Sequence, residues 1–163
     1  MVAIKYQTTE KDAEETAFEI AEEIRDIGGT QFSLTWDEAG NVTGVRFVLR
    51  TDEWGNLPVQ LEAQTEKIAD ILWDDGLWSS FDDDERLRRL RKQAHRIAWR
   101  HLKHIIEGLI GAIKIGLAEP LTVLMGFVEV QDPQTQEQIP MSTFFSRYAE
   151  SLRSGEVELL PPQ

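Results

Sequence analysis

Between Arg86 and Lys103 the chain carries eight cations, Arg86, Arg88, Arg89, Arg91, Lys92, Arg96, Arg100 and Lys103, and no acid. Guanidinium and ammonium groups at this density on one helix have the chemistry of an anion-binding face. If about four to six of them neutralised phosphates, the log–log salt slope of binding would be roughly −4 to −5. The same run can also serve the helix itself. Asp82, Asp84 and Glu85 stand four residues before Arg86, Arg88 and Arg89, a spacing that stabilises a helix by about 0.2–0.5 kcal/mol per pair. Beyond Arg91 no such local acid remains. Lys92, Arg96, Arg100 and Lys103 are therefore the candidate site, needing an anionic partner from outside their own turn of helix. That partner could be the acidic first helix, a second copy of the chain, an external acidic protein or nucleic acid.

The other residue types that could do chemistry give weaker patterns. His101, His104 and Glu107 follow at i, i+3 and i+6. Two neutral imidazoles on one helix face can bind a transition metal, but the row drifts around the helix and no third ligand is identified, so polar surface is the expectation. The carboxylates Asp74, Asp75, Asp82, Asp83, Asp84 and Glu85 could hold Mg²⁺ or Ca²⁺. They lack the spacing of a calcium loop, and Asp82 to Glu85 are explained by the preference of a helix start for acids. Trp73, Trp78, Phe81 and Trp99 interleave the basic run and could stack bases; packing of Trp99 beside the apolar stripe, with the other three sealing a helix junction, is the expected use. There is no Gly-x-Ser-x-Gly elbow, phosphate-binding glycine loop or His-Glu-x-x-His pair. No catalytic residue, metal or cofactor is assigned, and the expectation is a protein that is not an enzyme.

The elements that must position these groups follow from periodicity. Thr9 reads as an N-cap, with Glu10, Asp12, Glu14 and Glu15 in the dipole-favoured first turns. Ala13, Ala17, Ile20, Ile24 and Ile27 make an apolar face that ends at Gly28-Gly29. The period then changes to two. Phe32, Leu34 and Trp36; Val45, Phe47 and Leu49; and Leu57, Val59 and Leu61 read as three strands, separated by turns at Asp37 to Asn41 and Asp52 to Asn56. Pro58 places the third strand at an edge. Ile68, Ile71 and Leu72 line a short helix stopping near Gly76. Ser79 or Ser80 caps the next, whose stripe is Leu87, Leu90, Ala94, Ile97, Ala98, Leu102, Ile105, Leu109 and Ala112, widened by Trp99, Ile106 and Ile113. Unbroken from Asp82 to Ala118 it would be about 55 Å long, so it either protrudes or bends, with Gly108, Gly111 and Gly116 as the expected bending points. A short helix or loop follows Pro120, a turn lies at Asp132-Pro133-Gln134, and Ser142 caps a last helix containing Phe144, Phe145, Tyr148 and Leu152. The tail Leu159 to Gln163 is docked by its leucines or loose.

The predicted fold is α+β: an N-terminal helix, a three-stranded antiparallel meander, and a mostly helical C-terminal half with one long amphipathic helix. At 163 residues the chain is read as a single domain, 1–163, with helix plus meander over 1–63 and the helical part over 64–163. The polar start after Met1 to Lys5 predicts no signal peptide, and no apolar run is long enough to cross a membrane. The absence of cysteine excludes thiol chemistry and disulfides and fits a reducing compartment. Net charge is −12; removing the eight cations of Arg86 to Lys103 from the 17 in the chain leaves 9 against 29 acids, a balance of −20. The sequence is thus strongly charge-segregated.

Gln93-Ala94-His95-Arg96-Ile97-Ala98-Trp99-Arg100-His101-Leu102-Lys103, with Glu107 and the run Ala112 to Glu119, resembles a small phage and prophage protein family of unknown function. That family carries an Arg-[Ile/Val]-Ala-Trp-Arg helix and a second amphipathic stretch. The resemblance covers about Thr9 to Phe145, departs at Asp132-Pro133, where a glycine turn is expected, and attaches no activity to the motif. It implies an accessory protein of viral or mobile-element origin, in the cytoplasm of a bacterial host. The leading functional expectation is a non-enzymatic accessory protein that binds an anionic partner, nucleic acid or an acidic protein surface, through Lys92, Arg96, Arg100 and Lys103. The first alternative is an acidic inhibitor of a host nucleic-acid-binding or defence protein, in the manner of an anti-CRISPR, with Glu14, Glu15, Glu22, Glu23 and Asp26 mimicking a phosphate backbone. The second is an assembly protein that forms homo-oligomers through the long helix.

Overall fold

The computed structural model describes residues 5–6, 8–52, 55–132 and 135–154, with side chains described up to residue 147. The expected α+β order holds. Helix α1 (Ala13–Arg25) is followed by β1 (Gly29–Trp36), β2 (Val42–Thr51) and β3 (Gly55–Glu62), then α2 (Thr65–Asp74) and the long α3 (Asp83–Lys114). The chain ends in α4 (Pro120–Leu124), a 3-10 turn, a small hairpin of β4 (Glu129–Gln131) and β5 (Gln138–Pro140), and α5 (Met141–Ser154). The first three strands form an antiparallel meander in the order β1-β2-β3. Pro58 lies in an edge strand as expected, and Val59 adds one bridge to Val128 beyond that edge.

Strand alternation puts Val45, Phe47 and Leu49 of β2 opposite Leu61, Val59 and Leu57 of β3, on one face. Helix α1 buries Ala13, Thr16, Ala17, Ile20 and Ile24, and these meet that face. Trp99, Leu102, Ile106 and Ile110 of α3 complete this principal core. A second, smaller core lies on another face of α3, where Leu90, Ala94 and Ile97 meet Ala69 and Leu72 of α2. One helix therefore serves two cores. Its N-terminal half is covered by α2, and its C-terminal half packs on α1 and the sheet.

Several local expectations are corrected. Asp12, not Thr9, precedes α1 as its N-cap, and Asp82, not Ser79 or Ser80, caps α3 by accepting from the Glu85 N–H at 3.0 Å. Ser142 is the second residue of α5 rather than its cap; its carbonyl accepts from Ser146 Oγ at 2.9 Å. Helix α3 runs unbroken for 32 residues, about 48 Å. Gly108 and Gly111 lie inside it without ending it, and only Gly116 stops it. There φ is +74°, Leu117 N–H reaches the Ala112 carbonyl and Gly116 N–H reaches that of Ile113, the paired bonds of a Schellman ending. The β4–β5 hairpin takes up part of the stretch expected as helix, loop and turn after Pro120. The tail 159–163, the turn positions 53, 54, 133 and 134, and the side chains of Tyr148 and Leu152 lie outside the described residues. No helix among the described residues is long and apolar enough to cross a membrane.

Candidate functional site

Helices α1 and α3 run parallel, because their contacts advance together: Asp12 with Arg96, Glu19 with Lys103, Asp26 with Lys114. Their dipoles are then aligned side by side, which is unfavourable by itself, and a ladder of ion pairs along the seam offsets it. Arg96 Nη2 lies 3.1 Å from Asp12 Oδ1. Glu19 sits among three cations, with Lys103 Nζ at 2.9 Å, Arg100 Nη1 at 3.9 Å, and Lys11 in direct contact. Lys103 also reaches Glu107 at 3.1 Å, and Lys114 lies 2.9 Å from Asp26 and 4.0 Å from Glu23. The side chains of Lys103 and Glu19 keep 17% and 30% of their exposure, so this rung is more shielded than an ordinary surface pair. Glu19 Oε2 is buried and makes a close charge contact with Lys103 rather than an aligned hydrogen bond. Lys103, then Lys11, holds the Glu19 carboxyl below its ordinary range. In return Glu19 raises Lys103 and Lys11, and Asp26 raises Lys114.

The expectation that the stripe beyond Arg91 stays unneutralised by its own subunit is corrected here for three of its four members. Arg96, Arg100 and Lys103 are matched by α1. Of the four, Lys92 has no carboxylate partner among the described residues. It is exposed and lines a groove of about 1080 Å³ that mixes the basic Lys67, Arg88, Arg91, His95 and Arg96 with the acidic Asp12, Glu14, Asp37, Glu66 and Asp84, beside the turn that joins β1 to β2. The rest of the basic run is also occupied. Arg88 and Arg89 share Glu85, whose carboxyl they hold below its usual range, Arg89 first. Arg91 lies 3.6 Å from Glu66. Arg86 is buried, donates to the Leu77 and Trp73 carbonyls at 2.9 and 2.7 Å, and stacks 3.9 Å over the Trp73 ring. It thereby satisfies a carbonyl at the C-terminal end of α2.

The other candidates fall into place around this frame. Of the α1 acids, Glu15 pairs with Lys11, and Glu23 and Asp26 with Lys114. Glu14 and Glu22 are exposed and have no ion pair among the described residues. A second acidic surface brings Glu66 and Asp70 of α2 beside Asp83 and Asp84 of α3, around the partly exposed Leu87. His101 Nε2 contacts the Lys5 carbonyl at 3.0 Å, and Tyr6 packs edge-on against the rings of His101 and His104. Trp99 Nε1 donates to the Val42 carbonyl at 3.0 Å, and His95 Nε2 contacts the same carbonyl at 2.6 Å, so Trp99 is a core ring and His95 makes a structural contact. Phe81 is covered on one side by Arg89, 4.2 Å from its ring. Among the described residues no group of three or more His, Asp or Glu side chains gathers as a metal site.

The sequence reading passed over Asp12, Glu19 and Lys114 as site residues. The signal was there: Asp12, Glu19 and Asp26 recur every seven residues, the repeat that keeps charges beside a helix–helix seam. Compared with protein-family models, with curated proteins and with solved structures, the chain matches none.

Proposed function

We propose that this is a non-enzymatic binding protein that presents an acidic outer surface to a cationic partner. The ladder between α1 and α3 supports this reading more than any other observation. By matching Arg96, Arg100, Lys103 and Lys114 internally, it leaves the net charge of −12 to be expressed outward. Among the described residues, the carboxylates without ion pairs include Glu14 and Glu22 on α1 and Asp70, Asp83 and Asp84 at the α2–α3 end, and also Glu10, Asp37, Glu38, Asp52, Glu62, Asp74, Asp75, Asp82, Glu119 and Glu137. A basic protein surface, such as a nucleic-acid channel, is the partner that this field would steer and hold. A second reading keeps the anionic partner but moves it to the groove, because Lys67 and Lys92 line it and neither has a carboxylate partner among the described residues.

Fluorescence anisotropy with a labelled arginine-rich peptide and a labelled DNA duplex separates the two. The acidic reading expects salt-sensitive binding of the peptide, weakened several-fold by Glu14→Lys with Glu22→Lys, and no binding of the duplex. Duplex binding lost on Lys67→Glu with Lys92→Glu would favour the groove instead. Duplex binding lost on Arg96→Glu with Arg100→Glu would overturn both and restore the stripe.

A further inference from the structure

The row of α3 that α2 covers at one end is bare at the other. Positions 90, 94, 97, 101, 105, 108, 112 and 115 follow one another at steps of three or four, so they share one side of the helix. Leu90, Ala94 and Ile97 are buried against Ala69 and Leu72 of α2, and Tyr6 packs edge-on against the ring of His101. Past that ring Ile105 is 53% exposed and Ile115 72%. A Cβ built on Gly108 would meet nothing within 4 Å. Leu117, whose N–H is held by the Ala112 carbonyl at 2.9 Å, is 77% exposed and carries the patch over the helix end. The charged side chains of the same stretch are engaged elsewhere: Lys103 holds Glu19 and Glu107, and Lys114 holds Asp26.

This bare stretch is its own complement. From position 105 to 115 the row reads Ile, Gly, Ala, Ile at steps of three, four and three, with the same spacing and the same large-small-small-large order in both directions about position 110. Two copies of α3 laid antiparallel therefore bring Ile105 of each opposite Ile115 of the other, with Gly108 opposite Ala112 between them. The small pair lets the helix axes come close, since interaxial distance follows the side chains at the contact, and the isoleucines close over both sides. A two-fold contact of this kind buries one patch on itself. It also opposes the two helix dipoles, whereas α1 and α3 within the chain align theirs. Charge favours the same occupant. At −12 per copy two chains repel over most of their surface, but the row from Ile105 to Ile115 contributes no ionisable group, and it offers a cationic partner no carboxylate.

We propose that the C-terminal half of α3 is the face on which a second copy of this chain docks, antiparallel, about a two-fold axis beside position 110. A single helix crossing covers less than the roughly 800 Å² per partner of a standard stable interface, so the dimer forms as concentration rises from micromolar to millimolar. Sedimentation equilibrium of the full chain over that range should show monomer passing to dimer, more tightly at high salt, where repulsion between the two acidic chains is screened. Ile105→Asp with Ile115→Asp places unpaired charge in the contact and should weaken association by about tenfold or more. Cross-linking reads the geometry separately, because the chain has no cysteine of its own. Chains carrying Ile105→Cys are mixed with chains carrying Ile115→Cys and oxidised mildly. A disulfide needs Cα atoms within about 7 Å, while the two copies of position 105 lie about 15 Å apart along the helices in this arrangement. The mixed disulfide should therefore well exceed the share of about half that random pairing gives. Monomer at every concentration, a dimer indifferent to Ile105→Asp with Ile115→Asp, or symmetric disulfides in equal or greater yield than the mixed one would each overturn the proposal.

Discussion

Substituting Glu19 by Gln keeps the shape of the side chain and removes the anion that three cations share. Lys103 lies at 2.9 Å, Arg100 at 3.9 Å and Lys11 in contact. Partly exposed pairs contribute about 0.2–1 kcal/mol each. Three of them, with the repulsion left among the cations, put the loss at about 1.5–2 kcal/mol. For a chain of this size that lowers the unfolding midpoint by about 3–8 °C. The assay is thermal unfolding by far-ultraviolet circular dichroism at two ionic strengths. The gap from wild type should be widest at about 0.01 M and shrink at about 1 M, where the Debye length falls from about 30 to about 3 Å. The pH dependence has a definite sign. A carboxyl held below its ordinary value of 4.5 stabilises fully above that value, and the contribution is lost as pH falls through the folded-state value. The acid limb of the stability curve should therefore be shallower in Glu19→Gln. Of the three cations only Arg100 is left without a carboxylate, since Lys11 keeps Glu15 and Lys103 keeps Glu107. A midpoint no lower than that of Glu22→Gln, whose carboxylate has no ion pair among the described residues, would refute the reasoning.

Two further outcomes concern the frame. Arg86→Leu removes two hydrogen bonds to carbonyls at the α2–α3 joint and the stack on Trp73, and should cost about 2–4 kcal/mol by chemical denaturation while β1–β3 persist. Gly44→Val should destabilise by at least about 2 kcal/mol, because even a Cβ there would approach the Leu61 carbonyl oxygen to 2.5 Å and Thr35 Oγ1 to 2.8 Å; an unchanged denaturation midpoint would contradict the tight β1–β2–β3 packing.

The meander was readable because alternation in Val45-Phe47-Leu49 and Val59-Leu61 admits only one buried face. Helix α1 was readable because Ala13, Ala17, Ile20 and Ile24 hold a single stripe. The choice between an unbroken α3 and one bent at its glycines was not. Interior glycines cost only about 1 kcal/mol each, and burial of Ile106 and Ile110 beside Gly108 and Gly111 outweighs that, a tertiary effect no local window contains. The caps were misplaced because Thr9 and Ser79 are as good cap residues as Asp12 and Asp82, and only the position of the first buried turn decides between them. The small β4–β5 hairpin has three-residue strands, too short for a period. At the candidate site the eight cations were visible, but their partners were not: Arg96 meets Asp12 and Lys103 meets Glu19 across 84 residues of chain in each case. A charge run read alone therefore resembles a binding face whether or not the fold has already matched it.

The claim that α1 consumes the cations of α3 is tested most directly by a double-mutant cycle on Glu19 and Lys103, using Glu19→Gln, Lys103→Met and the pair, with stability measured by urea unfolding at low salt. The account predicts a favourable coupling energy of about 0.5–1.5 kcal/mol that shrinks at high salt. Strict additivity of the two single substitutions would contradict it.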